Sequence, residues 1–114
     1  MLRAAEAALL LHRDPRSGPH LDLVLGRGAR CPTLSFRRAG RGWTGGWIAP
    51  HRRAWLTRSA PVSGGRGTAR RLWRGPAVWW RIPGGWRIAL PGAWLALRGK
   101  RVECGGWLAT MARA

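Results

Sequence analysis

Two of the three histidines in the chain lie in one short segment together with an aspartate. The segment reads HRDPRSGPHLD, and its candidate ligands are His12, His20 and Asp22. Because alternate residues of a β-strand point to the same face, an extended backbone places His20 beside Asp22, and the intervening turn can fold His12 back next to them. Two imidazoles and one carboxylate form a ligand set that suits manganese, zinc or iron. Such a metal can polarise a phosphoryl oxygen or generate hydroxide, although the same spacing also fits surface histidines beside a turn.

The third histidine, His51, stands in the segment APHRRAWL beside Arg52 and Arg53. A histidine in that setting can donate a hydrogen bond to a phosphate or act as a general acid, and Arg52 can bind the phosphate as well. The alternative is a solvated loop histidine. Asp14 lies two residues from His12 and competes as a ligand, but its position before a proline favours a role in a turn.

A glycine-rich segment, VSGGRGT (residues 62–68), is a second candidate for anion binding. Successive glycine amides can form a concave anion-binding surface, and Arg66 can clamp a phosphate there. The segment lacks the G-K-[ST] ending of a Walker loop. A glycine-rich hairpin turn explains the same residues without any ligand.

The formal net charge of +17 indicates an anionic partner. The chain has 21 Lys and Arg residues against 4 Asp and Glu, and Lys100 is the sole lysine. It also contains nine tryptophans. Guanidinium groups bind phosphates through paired hydrogen bonds and indole rings stack on unpaired bases, so nucleic acid is the expected partner. A GC-rich genome would produce the same bias toward Arg, Gly, Ala, Pro and Trp without selection for binding.

Length and composition restrict the class of protein. A chain of 114 residues fits one domain, and 46% apolar residues argue against disorder. No apolar run approaches the roughly 20 residues of a membrane-spanning helix, and the run from Ala7 to Leu11 is too short for a signal peptide. The expected location is therefore the cytoplasm, although the Arg-rich, acid-poor start resembles an organelle presequence. Two cysteines, Cys31 and Cys104, are too few for a disulfide scaffold and fit small core residues.

The elements expected to hold these residues are short β-strands. In residues 20–26 (HLDLVLG), His20, Asp22 and Val24 fall on one face and three leucines on the other. From residue 68 onward, short apolar runs recur about every eight to ten residues between glycine and proline breaks, the rhythm of a sandwich or barrel. The further strand predictions are residues 31–36, 54–56, 68–73, 77–82, 86–90, 94–97, 101–104 and 107–111. We therefore predict an all-β fold in which residues 1–114 form one domain, a small closed or nearly closed β-barrel.

Three segments are predicted to adopt other conformations. Met1 to Leu11 is rich in alanine and leucine, which favours a helix by propensity, although a core strand can carry the same run. Residues 14–19 (DPRSGP) have the composition of a turn, and residues 39–46 that of a glycine-rich loop.

Three sequence blocks occur in the order of a known family. After His12 come PRSGPHLDLVL (15–25), PHRRAWL (50–56) and APVSGGRGT (60–68). Together they resemble the phosphoesterase domain of bacterial DNA ligase D, and most of all its short stand-alone relatives. Beyond Arg74 only the strand and turn rhythm continues the resemblance.

The resemblance implies a small β-barrel that binds a divalent metal, usually manganese, and zinc is another metal that this ligand set suits. It implies removal of a 3′-phosphate or a terminal 3′-ribonucleotide from DNA 3′ ends, which leaves a 3′-hydroxyl for a ligase or polymerase partner. His12, His20 and Asp22 match the metal ligands of the family, and His51 matches a histidine that contacts the scissile phosphate. His20 and His51 are therefore the expected catalytic residues, in a protein expected to be a monomer without a membrane partner.

Two positions depart from the family pattern. Val24 stands where the family has a phosphate-binding arginine, and Trp55 stands where it has a tyrosine, which removes the hydroxyl. Loss of the arginine can cost several kcal/mol of transition-state stabilisation unless another arginine replaces it. The candidates for that replacement are Arg66, Arg37, Arg38 and Arg41. Two other functions therefore stay open: a catalytically weak barrel that binds nucleic-acid ends, and a basic ribosome-associated protein.

Overall fold

Nine β-strands form the framework of the protein, as seen in a computed structural model that describes residues 1–61 and 65–111. The strands are β1 (Arg3–Asp14), β2 (Gly18–Leu25), β3 (Arg30–Ala39), β4 (Gly42–Arg52), β5 (Ala60–Pro61), β6 (Thr68–Ile82), β7 (Gly85–Leu90), β8 (Ala93–Arg98) and β9 (Arg101–Gly106). Two short 3-10 helices, Arg53–Leu56 and Trp107–Thr110, follow β4 and β9. The described ranges contain no α-helix, which confirms the all-β prediction. Within the same ranges, no helix has the length and apolar character needed to cross a membrane.

The strands form one antiparallel sheet that closes on itself. Its order is β1-β2-β3-β4-β9-β8-β7-β6-β5, and β1 pairs with both β2 and β6. Eight strands therefore complete a ring, while the two-residue β5 pairs with the start of β6. The junction between β4 and β9 is short, with the pairs Trp43↔Val102 and Thr44↔Arg101. The ring confirms the predicted closed sheet, and the short β4–β9 junction leaves β4 beyond Thr44 without a ladder partner on that side among the described residues.

Two apolar layers lie on opposite faces of β1 and β2. Leu9 and Leu23 point into the main core, to which strands from all around the ring contribute. Leu10 and Val24 point to the other face and pack under Leu56 of the first 3-10 helix. We call this smaller layer the second cluster; it consists of Ala8, Leu10, Val24, Cys31, Leu56 and Ala69. The alternation predicted for residues 20–26 is therefore correct, and His20 and Asp22 share the face of the second cluster.

The helix predicted for Met1 to Leu11 is wrong, because this segment forms most of β1. The residues from Ala7 to Leu11 are all buried, since β1 lies between β2 and β6 and is covered on both faces. A strand that is buried on both faces reads as a continuous apolar run. Its sequence has no period of two, so it cannot be told from a buried helix by pattern alone.

The loop predicted for residues 39–46 is also wrong in most of its length. Only residues 40 and 41 form the turn, and β4 begins at Gly42. Gly45 and Gly46 belong to the ladder, where they pair with Phe36 and Ser35 of β3. Backbone hydrogen bonds to a neighbouring strand do not need a side chain, so tertiary pairing overrides the low strand propensity of glycine.

The remaining differences concern the ends of elements. The strands predicted at residues 54–56 and 107–111 are 3-10 helices, and each buries one leucine, Leu56 and Leu108, against the sheet. The runs predicted at 68–73 and 77–82 form one strand, β6, because β1 pairs with both sides of the break between them. The strands predicted at 31–36, 86–90, 94–97 and 101–104 lie within β3, β7, β8 and β9.

Candidate metal and phosphate site

The first part of the site is carried by the hairpin of β1 and β2. His12 and His20 are directly opposite each other across the two strands, and their ring centroids lie 4.6 Å apart. Asp22 follows two residues later on the same face of β2. At the turn, the backbone N–H of Arg16 donates to Asp14 Oδ1 at 2.8 Å, which is the turn role expected of Asp14.

The third histidine reaches the same point from β4. His51 Nε2 lies 3.5 Å from Asp22 Oδ2. His20 Nε2 lies 3.5 Å from Asp22 Oδ1, and His12 Nδ1 lies 3.8 Å from Oδ2. The fold thus gathers three imidazoles around one carboxylate. The ligand atoms of His12, His20 and Asp22 all lie within 4.8 Å of one another.

Backbone carbonyls orient each of the three imidazoles. The contacts are His20 Nδ1 with the Gly18 oxygen (3.2 Å), His51 Nδ1 with the Ala49 oxygen (3.3 Å) and His12 Nε2 with the Arg66 oxygen (2.8 Å). A ring nitrogen must carry hydrogen to donate to a carbonyl, so the opposite nitrogen of a neutral ring presents a lone pair. In all three rings that opposite nitrogen is the one that faces Asp22. Holding one nitrogen of a histidine in this way is how proteins aim the other at a metal.

The carboxylate at the centre is buried and incompletely satisfied. Asp22 is 1% exposed, and its Oδ1 atom has no hydrogen-bond partner within the described part of the chain. Burial raises the pKa of the Asp22 carboxyl, but the facing His20 and His51 outweigh it and hold this pKa below its usual range. Asp22 in turn raises the pKa of His20 against the opposing effect of burial. Asp22 is therefore a buried anion at neutral pH.

The donor set fits a divalent cation. With neutral histidines, three lone pairs and the oxygens of an anion face one another, and this arrangement is repulsive unless a positive charge lies among them. Protonation of His20 relieves part of the repulsion, and a bound cation would relieve all of it. Two nitrogens and one carboxylate oxygen from His12, His20 and Asp22 suit manganese or zinc.

Two residues of β3 belong to the surroundings of the site. Ser35 pairs with Asp22 across β2 and β3, and it contributes to the lowered pKa of Asp22. Arg37 lies two residues further, where its guanidinium donates to the Ser17 carbonyl and its charge opposes protonation of His20. Sequence reasoning missed Ser35, although the alternation of the predicted strand 31–36 carries the signal that would have found it.

The other arginines predicted to bind phosphate differ in their contacts and exposure. Arg66 contributes its backbone oxygen to His12, and its side chain is exposed. Arg52 follows His51 at the end of β4 and is also exposed. Arg38 stacks its guanidinium on the ring of Trp43, 4.7 Å from the centroid. Residues 62–64 of the glycine-rich segment lie outside the described residues.

The two residues that differ from the pattern of the resembled family, Val24 and Trp55, both pack at the second cluster. Val24 has no exposed surface and packs within the second cluster, so its position serves the core. Trp55 is partly buried against the same cluster, and the guanidinium of Arg58 lies 5.1 Å from its ring centroid. Val24 has no polar group that could bind a phosphate oxygen, and Trp55 keeps an indole N–H donor in place of a hydroxyl.

Comparisons of the chain with protein-family models, with curated proteins and with solved structures find no match. The resemblance to the ligase D phosphoesterase domain therefore rests on the sequence blocks and stays a prediction.

Proposed function

We propose that the protein is a metal-dependent phosphoesterase that acts on DNA 3′ ends and removes a 3′-phosphate or a terminal 3′-ribonucleotide. The observation that carries the proposal is the convergence of three oriented imidazoles on the buried, incompletely hydrogen-bonded carboxylate of Asp22. The order of the sequence blocks around these same residues supports the same reaction.

The residues of the site divide between metal binding and substrate binding. A divalent cation, manganese or alternatively zinc, would be held by His12, His20 and Asp22 and would neutralise charge on the phosphoryl group under attack. His51 is partly exposed, so when protonated it can donate its Nε2–H to a phosphate oxygen or to the leaving oxygen. Arg37 places a second positive charge beside His20, where it can take the role of the arginine that Val24 replaces.

The charge of the chain supports a nucleic-acid substrate. A net charge of +17 attracts phosphate backbones, and the affinity should fall steeply with salt concentration. A DNA 3′ end presents both the terminal phosphate that the site could process and the backbone that the arginines could hold. A monomer in the cytoplasm with a ligase or polymerase as partner stays part of the same proposal.

The test is release of phosphate from a labelled oligonucleotide that ends in a 3′-phosphate, with manganese or zinc present. Wild-type protein should release phosphate, and His20→Ala should be slower by about 100-fold, because a lost ligand costs at least as much as a lost supporting contact. Asp14→Asn is the matched control, since Asp14 is in the same hairpin and belongs to the turn. Equal, slow release by wild type and His20→Ala would overturn the catalytic proposal.

A second candidate is a barrel that binds DNA ends with weak or no catalysis. Two observations favour it: Val24 is fully buried where the family has its arginine, and Trp55 offers no hydroxyl. This protein would bind DNA ends in a salt-sensitive way and form no metal-dependent product. A basic ribosome-associated protein would instead purify with RNA, and its RNA binding would not change with His12→Ala.

A further inference from the structure

A groove runs along β3 and β4 beside the histidine site. Its volume is about 350 Å³, and part of its lining comes from the turn between β8 and β9. Among the lining residues are Ser35, Arg37, Thr44, Gly46, Ile48 and Lys100. Ser35 pairs with Asp22 on one side and with Gly46 on the other, so the groove begins one strand away from the buried carboxylate.

The floor of the groove is made by glycine backbone. A Cβ atom at Gly45 would lie 2.1 Å from the Ser35 oxygen, so β3 and β4 can approach closely only because this residue is glycine. At Gly46 a Cβ atom would meet nothing within 4 Å. Because Gly46 pairs with Ser35, that open space lies on the same face of the sheet as Ser35 and Asp22. The missing side chain at Gly46 therefore leaves room for a ligand.

One wall of the groove carries positive charge that the protein does not neutralise. The backbone oxygen of Lys100 accepts hydrogen bonds from the Gly45 N–H at 2.9 Å and from the Thr44 hydroxyl at 3.0 Å, which ties the β8–β9 turn to β4. Lys100 is exposed, and in residues 1–61 and 65–111 no acidic side chain forms an ion pair with it or with Arg37. Two cations thus flank a groove whose floor is backbone.

The end of the groove is apolar. Ile48 lies on the same face as Gly46 and Ser35 and is 41% exposed. The neighbouring Trp47 points to the opposite face, where its ring packs edge-on against Trp86. An apolar side chain such as that of Ile48 costs free energy when it faces water, so a ligand that covers it is stabilised. Cations along one wall and an apolar edge at the end match a nucleotide unit, which has a phosphate and a flat base.

We propose that this groove binds the last nucleotides of a single-stranded DNA 3′ end, with backbone phosphates on Arg37 and Lys100 and a base against Ile48. The inference rests on the proposed function, because it takes the terminal phosphate to lie at the histidine site. It assigns the substrate a direction, from the site across Ser35 and over Gly46 toward the β8–β9 turn.

The test fills the groove at Gly46. Binding of a fluorescent single-stranded oligonucleotide with a 3′-phosphate is measured by anisotropy in the presence of EDTA, so that the readout does not depend on catalysis. Gly46→Trp should raise Kd by about tenfold or more, the size of one lost base contact, whereas Gly46→Ala should leave Kd within about twofold. A metal-dependent rise in Tm that Gly46→Trp retains would show that its fold and its histidine site are intact.

Reversal of charge gives a second variant that does not depend on a large side chain. Lys100→Glu should weaken binding at least about threefold more than Arg81→Glu. It should also reduce the slope of log Kd against log salt concentration by about the contribution of one phosphate contact. Arg81→Glu is the matched control, because Arg81 is exposed and does not line the groove; its guanidinium lies 5.3 Å from the ring centroid of Trp86.

The outcomes separate this proposal from the proposed function. If Gly46→Trp and Lys100→Glu bind DNA like wild type and Arg81→Glu, the groove proposal fails, whether or not wild type releases phosphate. If both variants lose binding while wild type releases no phosphate with metal, the groove stands and the catalytic proposal fails. If wild type does not bind the oligonucleotide in EDTA at low salt, the groove proposal fails as well.

Discussion

Replacement of Asp22 by asparagine should remove metal-dependent stabilisation without unfolding the protein. Asp22 is the buried acid on which His12, His20 and His51 converge. Asparagine has nearly the same shape, and its amide group can donate to an imidazole lone pair, so the metal-free variant should keep its fold. The substitution removes the negative charge that would attract a cation into the ring of imidazoles.

The size of the effect follows from binding linkage and from the length of the chain. A metal present at 100 times its Kd stabilises the native state by about 2.7 kcal/mol. Unfolding entropy is about 2.1 cal/mol/K per residue, hence about 0.24 kcal/mol/K for 114 residues, so the wild-type Tm should rise by about 11 °C. If Asp22→Asn weakens metal binding about 100-fold, the metal stabilises the variant by only about 0.4 kcal/mol, and its Tm should rise by about 2 °C.

Thermal unfolding followed by circular dichroism measures this difference. Each protein is melted in EDTA and again with manganese at 100 times the wild-type Kd, and the series is repeated with zinc. Asp14→Asn is the control, and it should keep the full rise because the half-buried Asp14 accepts from the Arg16 N–H at the turn. The reasoning is refuted if Asp22→Asn keeps the full rise, or if wild type shows none with either metal.

Three further predictions concern packing and burial. Gly45→Ala should lower the free energy of unfolding by about 2 kcal/mol or more, because its Cβ atom would lie 2.1 Å from the Ser35 oxygen. Gly46→Ala should leave the free energy of unfolding nearly unchanged, because its Cβ atom would meet nothing within 4 Å. Equal urea midpoints for the two variants would contradict this. Val24→Arg should lower the free energy of unfolding by several kcal/mol rather than restore the family's arginine, because a guanidinium would be buried in the second cluster. A folded Val24→Arg protein with faster phosphate release would disprove that expectation. Burial raises the pKa of the Cys104 thiol to about 12, so its alkylation at pH 8 should be slow until the protein unfolds. The same shift stabilises the fold fully below the ordinary thiol pKa of 9.0, and this contribution should be lost as the pH rises toward 12, unlike in Cys104→Ser.

A buried strand was predictable where polar residues alternate with leucines, as in β2, and was not where apolar residues occupy both faces, as in β1. Residues 20–26 alternate between the main core and the face of the site, so their period of two was visible in the sequence. β1 is covered on both faces, and its run of alanine and leucine carries no such period. β4 contains Gly45 and Gly46, whose low strand propensity is overridden by pairing with β3.

For the candidate site, the sequence alone predicted a turn between His12 and His20 and the placement of Asp22 on the same strand face as His20, whereas the strand β1 that carries His12 was predicted mostly as a helix. These relations are local, because they depend on the alternation of a strand and the length of one turn. The tertiary structure alone decided that His51 meets Asp22, since that contact needs the register of β3 and β4 across the sheet. It also decided that Val24 is buried and that the space above Gly46 is open. These features depend on which distant strands become neighbours, and pairing between distant segments follows from the packing of the whole ring rather than from any one segment.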